Sequence, residues 1–344
     1  MTDLTALHVN WTGPFRAGLR RAREGGGRRV YGFPPEEVLS CVHSALAWRE
    51  HHGPIELVTD ELGAAWCREQ GLAGLYERID TGLDALDGMD LDPVVWFTGA
   101  KYLAVRDRPA PFVLLDTDLY LRRPLAGLDR GGAQRKGFWF AHWESVDNAV
   151  YPPPEELPNR AGADLSRWLF DTPATNMAIA AFLDEDHRAG FAQAALGFAL
   201  GNGGPAPGEP VARPAFAEQR LAPAVARTLG VPLHPVAEGF WLVEEERWDG
   251  PAPVADFHHI WNLKAALRRH PELHGPYLRQ LLAELLWRFP DTAGLLARIP
   301  ALAGLRPLLA PTLAALEQHG PLTDPSWPFG ERRTRRGNRE DTRV

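Results

Sequence analysis

The stretch PFVLLDTDLYLRRPL, Pro111 to Leu125, constrains the fold more than any other part of this chain. Four apolar residues, Phe112 to Leu115, read as a buried strand and run straight into Asp116-Thr117-Asp118. Burying either charge without a partner costs several kcal/mol, so the fold must bring compensation from elsewhere. In an extended segment, positions i and i+2 project to the same side, which sets the two carboxylates against each other. A divalent cation, with its taste for oxygen ligands, removes that conflict.

The surrounding pattern says what kind of sheet holds the strand. ALHVNW (Ala6 to Trp11), IELVTD (Ile55 to Asp60) and LYERID (Leu75 to Asp80) read as further strands. PPEEVLSCVHSALAWREHH reads as a helix, with proline and acid at its start and Val38, Cys41, Val42, Ala45 and Leu46 spaced on one face. ELGAAWCREQG and VVWFTGAKYLAVRD read as two more helices, and Gly18 to Arg29 as a Gly/Arg-rich loop. Strand and helix in alternation predict an α/β domain whose sheet is covered on both faces. In such sheets ligands gather at the carboxyl ends of the strands, where Asp116 and Asp118 stand.

Composition removes several function classes. The 344 residues are 45% hydrophobic and 24% charged, with a net charge of -7, which gives no reason to expect nucleic acid. Cys41 and Cys67 form no metal-binding spacing and read as buried thiols. No apolar run reaches the roughly 20 residues of a membrane span. The opening MTDLTALHVNWTG lacks a basic region followed by an apolar one, so the expected location is the cytoplasm. Only Lys101, Lys136 and Lys264 stand among 37 basic residues, so a lysine that persists marks a place where a guanidinium would not serve.

A second constellation lies far downstream, in VADFHHIWNLKAALRRH. Here His258 and His259 end an apolar run, and Lys264 opens a helix six residues after His258. Imidazole suits a borderline metal such as manganese, and an ammonium suits a phosphate oxygen.

Together, the Asp-x-Asp after a buried strand and the late His-x5-Lys resemble the GT-A-fold glycosyltransferases, in particular the glycogenin-like and bacterial galactosyltransferase-like family. The resemblance implies a Rossmann-type mixed sheet covered by helices, with a helical C-terminal extension. It implies a nucleotide diphosphate sugar, UDP-linked by preference, as donor, and Mn2+ or Mg2+ held by Asp116, Asp118 and one of His258 and His259. Lys264 would contact the diphosphate and Lys101, from the helix before the Asp-x-Asp strand, the nucleotide sugar. Asn176 in ATNMAIAAF would line the sugar site, and Glu218 and Gln219 in FAEQRLAPAVARTLG would lie beside the donor sugar. Trp11 and Thr12 in NWTG would contact the base. A retaining enzyme would rely on Glu218 or Gln219, and an inverting one on a base such as Asp171 or Asp256. The acceptor stays open among glycan, lipid-linked molecule, small molecule and protein.

Two rivals share the first motif. A haloacid-dehalogenase-like phosphatase or phosphotransferase would use Asp116 as nucleophile, although Tyr120 stands where that kind carries Thr or Val. A non-catalytic nucleotide-sugar-binding protein of the same fold is the other. In domain terms, residues 1–270 form the expected catalytic domain and 271–325 a helical cap. The cap's apolar face, interrupted by arginines, also admits a peripheral membrane contact. The basic tail 326–344 reads as disordered.

Overall fold

The structure is a computed structural model that describes residues 4–22, 30–128, 136–146, 148–157, 164–204, 210–253 and 256–321. The expected disordered tail, 326–344, and residues 23–29 of the Gly/Arg-rich segment lie outside the described residues. The chain divides into two compact units, one ending at Ile260 and the other beginning at Trp261.

The first unit is built on a seven-stranded sheet. Its strands are β1 (Ala6–Asn10), β2 (Ile55–Thr59), β3 (Arg78–Asp80), β4 (Phe112–Leu115), β6 (Phe138–Phe140), β9 (Ile179–Phe182) and β10 (Leu233–Pro235), in spatial order β10-β6-β9-β4-β1-β2-β3. Pairing is parallel from β3 through β2 and β1 to β4, as the strand–helix alternation predicts. Beyond β4 a single strand is reversed: β9 runs antiparallel to both β4 and β6, and β10 is parallel to β6. The sheet is therefore mixed, and the fold class is the expected α/β layer structure with helices following the sheet domain.

Helices α1 (Gly13–Ala22), α2 (Pro35–His51), α3 (Glu61–Glu69), α4 (Gly99–Asp107) and α5 (Glu185–Gly201) accompany the sheet. The α2 sequence holds the whole of its expected span because Glu36 and Glu37 favour the positive helix start, and Val38, Cys41, Val42 and Ala45 are all buried. Two local readings are corrected. Helix α4 starts at Gly99, after turns at 93–95 and 97–98, so the helix is shorter than its apolar pattern suggested. Gly18 to Ala22 belong to α1 instead of to a loop.

Two smaller pairings matter for the site. β5 (Leu119–Leu121) pairs antiparallel with β13 (Phe257–His259), and β7 (Trp143–Glu144), β8 (Ala174–Thr175), β11 (Phe240–Leu242) and β12 (Arg247–Asp249) form a four-stranded sheet in the order β12-β11-β7-β8. The core beneath is aromatic and aliphatic, with Phe112, Leu114, Phe138, Phe140 and Phe182 of the sheet packed with Tyr102, Phe191, Phe198 and Phe216 of the helical layer.

The last helical run of the first unit is α6 (Ala212–Ala215), a π turn (Phe216–Arg220) and α7 (Leu221–Thr228). The second unit is helical: α8 (Trp261–Arg269), α9 (His274–Arg288), α10 (Ala293–Arg298) and α11 (Arg306–His319). Tyr277, Leu281, Leu282, Leu285 and Leu286 of α9 are buried, as are Leu296, Ile299, Leu302 and Leu316. Among the described residues no single helix is long and apolar enough to cross a membrane.

Candidate metal centre

The strand β4 ends in a tight turn, not in an extended tip. Leu119 N donates to Asp116 O at 3.1 Å, and Asp116 N donates to Ala178 O at 2.8 Å on the neighbouring β9 connection. The turn hands the chain to β5, so Asp116 and Asp118 converge by folding back, where the sequence alone suggested a shared strand face.

β13 supplies the imidazole. In its register with β5, His259 lies opposite Leu119 and His258 opposite Tyr120, and Ile260 N donates to Asp118 O at 3.1 Å. Alternation along the strand sends the two histidines to opposite faces. His259 Nε2 lies 3.5 Å from Asp118 Oδ1. The His258 ring instead packs on Tyr120 at 5.2 Å between centroids, and Tyr120 in turn stacks on His43 at 3.9 Å. Ligand atoms of Asp116, Asp118 and His259 all lie within 4.8 Å of one another. His258, which gives the His-x5-Lys spacing, is thus the structural partner, and the candidate ligand is one residue nearer Lys264.

Across this triad lies a charged bridge. Lys101 Nζ, from α4, is 2.7 Å from Asp116 Oδ1 and 2.6 Å from Glu218 Oε1. Burial alone would pull the ammonium's pKa down, yet Asp116 and Glu218 outweigh it and leave the group above its ordinary value. Glu218 is 4% exposed, and burial, opposed by Lys101 and assisted by Asp116, raises its carboxyl above the usual range. Its place in a π turn has a physical reading: the extra residue per turn re-aims side chains, and such turns recur at functional sites.

Beside the bridge stands a network the sequence reasoning missed. Glu144, 2% exposed, accepts from Asn176 Nδ2 on one oxygen and from Tyr151 Oη on the other, each at 2.6 Å. The Tyr151 hydroxyl also meets the side-chain amide of Gln219. Asn176 is held at both ends of its side chain: its Oδ1 accepts from Ala178 N at 3.1 Å and its Nδ2 donates to Glu144. Burial raises the Glu144 carboxyl, while donors from Tyr151 and Asn176 and the nearby His259 pull it back. The signal was available: GFWFAHWE is another apolar run that ends in an acid.

The remaining candidates have their own surroundings. Trp11 is 8% exposed and belongs to the core, where its ring closes on Gly13 so tightly that a Cβ there would sit 2.2 Å from it. Thr12 spends both its N–H and its hydroxyl on Asp60, at 3.0 and 2.6 Å. Asp171 is half exposed and paired with Arg227 at 2.9 Å, and Asp256 is paired with Arg123. Lys264 lies on α8, in the second unit.

The donor chemistry of the triad fits a divalent cation. Two carboxylates and an imidazole offer hard oxygens with one borderline nitrogen, a set that suits a hard or borderline divalent cation better than a soft one. No protein-family model matches the sequence, and no curated protein matches it. Among solved structures, the chain resembles the PaToxG glycosyltransferase at 11% identity and a TM-score of 0.35, covering 89% of this chain and 87% of that one. It also resembles mouse xyloside xylosyltransferase 1, apo form, at 10% identity and a TM-score of 0.33, covering 68% of this chain and 85% of that one.

Proposed function

We propose that this chain is a metal-dependent glycosyltransferase that takes its sugar from a nucleotide diphosphate donor, UDP-linked by preference. The observation that carries the reading is the convergence of Asp116, Asp118 and His259 at the carboxyl end of β4, with Lys101 bridging Asp116 to Glu218. The Asp-x-Asp pair of the GT-A resemblance and a late histidine, His259 in place of the His258 that gives the His-x5-Lys spacing, have ligand atoms within 4.8 Å of one another, which supports the reading.

In this reading Asp116, Asp118 and His259 hold Mn2+ or Mg2+, whose chemistry when bound is Lewis-acid neutralisation of the diphosphate leaving group. Lys101 adds a fixed positive charge where negative charge develops. Bond breaking at the anomeric carbon generates oxocarbenium character, which a carboxylate or amide oxygen on the opposite face relieves. Glu218, kept in place by Lys101, and Gln219, kept in place by Tyr151, are the groups suited to that role. Asn176, fixed by Glu144, holds Ala178 N on its Oδ1, and Ala178 O accepts from Asp116 N, so this segment braces the Asp-x-Asp turn. The pairing of Asp171 and Asp256 with arginines favours the Glu218 and Gln219 wall as the reacting side, and with it a retaining enzyme.

The test is calorimetry and donor hydrolysis with Mn2+ and a panel of nucleotide diphosphate sugars, comparing wild type with Asp118→Ala. Binding and hydrolysis of at least one donor, both dependent on metal and lost in the variant, are expected. Absence of metal-dependent binding across the panel sinks the reading. Hydrolysis of a generic phosphate ester that disappears in Asp116→Asn would hand the site to a phosphatase.

A further inference from the structure

The hydrogen bonds around Glu144 run in one direction, and that direction reaches Gln219. Tyr151 is buried, and its hydroxyl meets two groups at once: the Glu144 carboxylate, at 2.6 Å, and the side-chain amide of Gln219. A hydroxyl has one proton to give, so only one of the two accepts from it. Glu144 is buried as well, and its other oxygen accepts from Asn176 Nδ2, also at 2.6 Å. Bonds this short on both oxygens are those of an ionised carboxylate, the strongest acceptor in the group. The Tyr151 proton therefore goes to Glu144. Its oxygen then offers Gln219 only lone pairs, and the NH2 end of the amide is the end that can meet them. The Gln219 oxygen is turned the other way, and Gln219 is the one residue of the π turn Phe216–Arg220 that is not fully buried.

We propose that Tyr151 and Glu144 are positioning residues that fix which end of the Gln219 amide faces the donor sugar. The inference rests on the glycosyltransferase reading above and deepens it. An amide is polar from end to end: its oxygen relieves positive charge developing at the anomeric carbon, and its NH2 group opposes it. An untethered glutamine presents either end at little cost. Here the choice is made in advance, because Gln219 donates to Tyr151, Tyr151 donates to Glu144, and Asn176 holds Glu144 from its other side. A dipole aimed before the bond breaks needs no reorganisation while it breaks. Tyr151 and Glu144 thus act through Gln219 and not on the sugar.

The experiment reverses the chain of hydrogen bonds without changing its shape. In Glu144→Gln the new amide keeps its oxygen on Asn176 and donates its NH2 group to Tyr151. The phenol proton must then go to Gln219, whose NH2 group turns toward the donor. For the donor that wild type hydrolyses among UDP-, GDP- and dTDP-linked glucose with Mn2+, kcat is expected to fall roughly a hundredfold with KM unchanged. Glu144→Gln/Gln219→Glu keeps the reversed chain and the wild-type net charge, but a carboxylate has oxygen at both ends. Its kcat is expected to return to within about tenfold of wild type. A merely structural Glu144 would lower the melting temperature in both variants and give no recovery. A second readout needs neither metal nor donor: magnetic resonance of the full chain carrying isotope-labelled glutamine, with the Gln219 NH2 pair identified by its loss in Gln219→Ala. One of its two protons is expected to be shielded from exchange with water in wild type, and neither in Glu144→Gln or in Tyr151→Phe, which removes the phenol oxygen alone.

Equal kcat in wild type and Glu144→Gln, a slow Glu144→Gln that Gln219→Glu does not restore, or a wild-type Gln219 pair with both protons in fast exchange overturns this proposal alone. Hydrolysis of no donor by wild type overturns the glycosyltransferase reading and the catalytic role of the chain with it, and the exchange readout still decides how Gln219 is turned.

Discussion

Two strands of one sheet, β2 and β4, each lead from largely buried residues toward a Thr-Asp pair, Thr59-Asp60 and Thr117-Asp118, and these two aspartates meet opposite fates. Asp60, after β2, is 1% exposed and has donors on both oxygens. Oδ1 accepts from Gly63 N at 2.9 Å and caps α3; Oδ2 accepts from Thr12 N, from the Thr12 hydroxyl and from Arg16. Two of those donors are backbone amides, and all come from elements that must be in place for the sheet to close. Asp118, after β4, faces an imidazole at 3.5 Å and a second carboxylate within 4.8 Å. A carboxylate compensated by backbone donors is a joint. One that faces ionisable side chains converging from distant elements is a candidate ligand position.

Exchanging each acid for its amide separates the two roles. Asp118→Asn is expected to weaken Mn2+ binding roughly a thousandfold, about 4 kcal/mol, while thermal stability stays level or rises, since one of two adjacent negative charges is gone. Asp60→Asn is expected to do the reverse. Its amide still caps α3, but an NH2 group replaces the oxygen that serves Thr12 and Arg16, at a cost of about 2–3 kcal/mol in urea unfolding. Mn2+ affinity of the folded Asp60 variant should match wild type. If Asp60→Asn weakens the metal as much as Asp118→Asn does, the contrast between joint and site collapses.

What the sequence discloses follows the same division. Phe112–Leu115 was legible as a strand because local hydrophobicity and length decide it, and the span of α2 was legible because its acids and apolar face agree. The reversal at β9 was not, since strand direction depends on pairing with β4 and β6 across a sequence separation that no local pattern encodes. At the candidate site, Asp116 and Asp118 were legible as an Asp-x-Asp after a buried strand, while Lys101 and Glu218 were named only from a looser resemblance of their segments, and the structure brings these four together. The choice of His259 over His258 was not recoverable from spacing; it is fixed by the register of β13 on β5, and slipping that register by one residue would exchange them. Glu144 escaped because its meaning comes from Asn176 and Tyr151, which lie on two other segments.

Histidines extend the comparison to pH. His187 on α5 is fully buried against Phe138 and Phe182, and its Nε2 faces Ala222 O at 3.0 Å. Burial pushes its pKa down to about 4, against the pull of the Ala222 carbonyl and Asp184. The unfolded chain takes up a proton near 6.5, and the folded chain resists until about 4. Stability from this group is therefore complete above pH 6.5 and is lost as pH falls toward 4, at about 1.4 kcal/mol per pH unit. His187→Phe keeps the aromatic packing and removes the titration, so unfolding free energy measured across that window should fall less steeply by that amount. An unchanged acid slope would show that His187 is not held neutral by the core.

The smallest effect is expected where a carboxylate is neither joint nor site. Asp171 was a candidate base by its place before Asn176, yet it is half exposed and its partner, Arg227, is as exposed as it is. Hydrogen bonding from Arg227 lowers the Asp171 carboxyl, but water screens an ion pair of this kind, and such pairs add little to folding. Asp171→Asn should leave the melting temperature, Mn2+ affinity and donor hydrolysis within error of wild type. A drop in hydrolysis with metal affinity intact would move the reacting face from Glu218 and Gln219 to Asp171, and with it the stereochemistry from retaining to inverting. Partner identity would then have failed as a criterion, because a surface arginine would be holding a catalytic base in reserve.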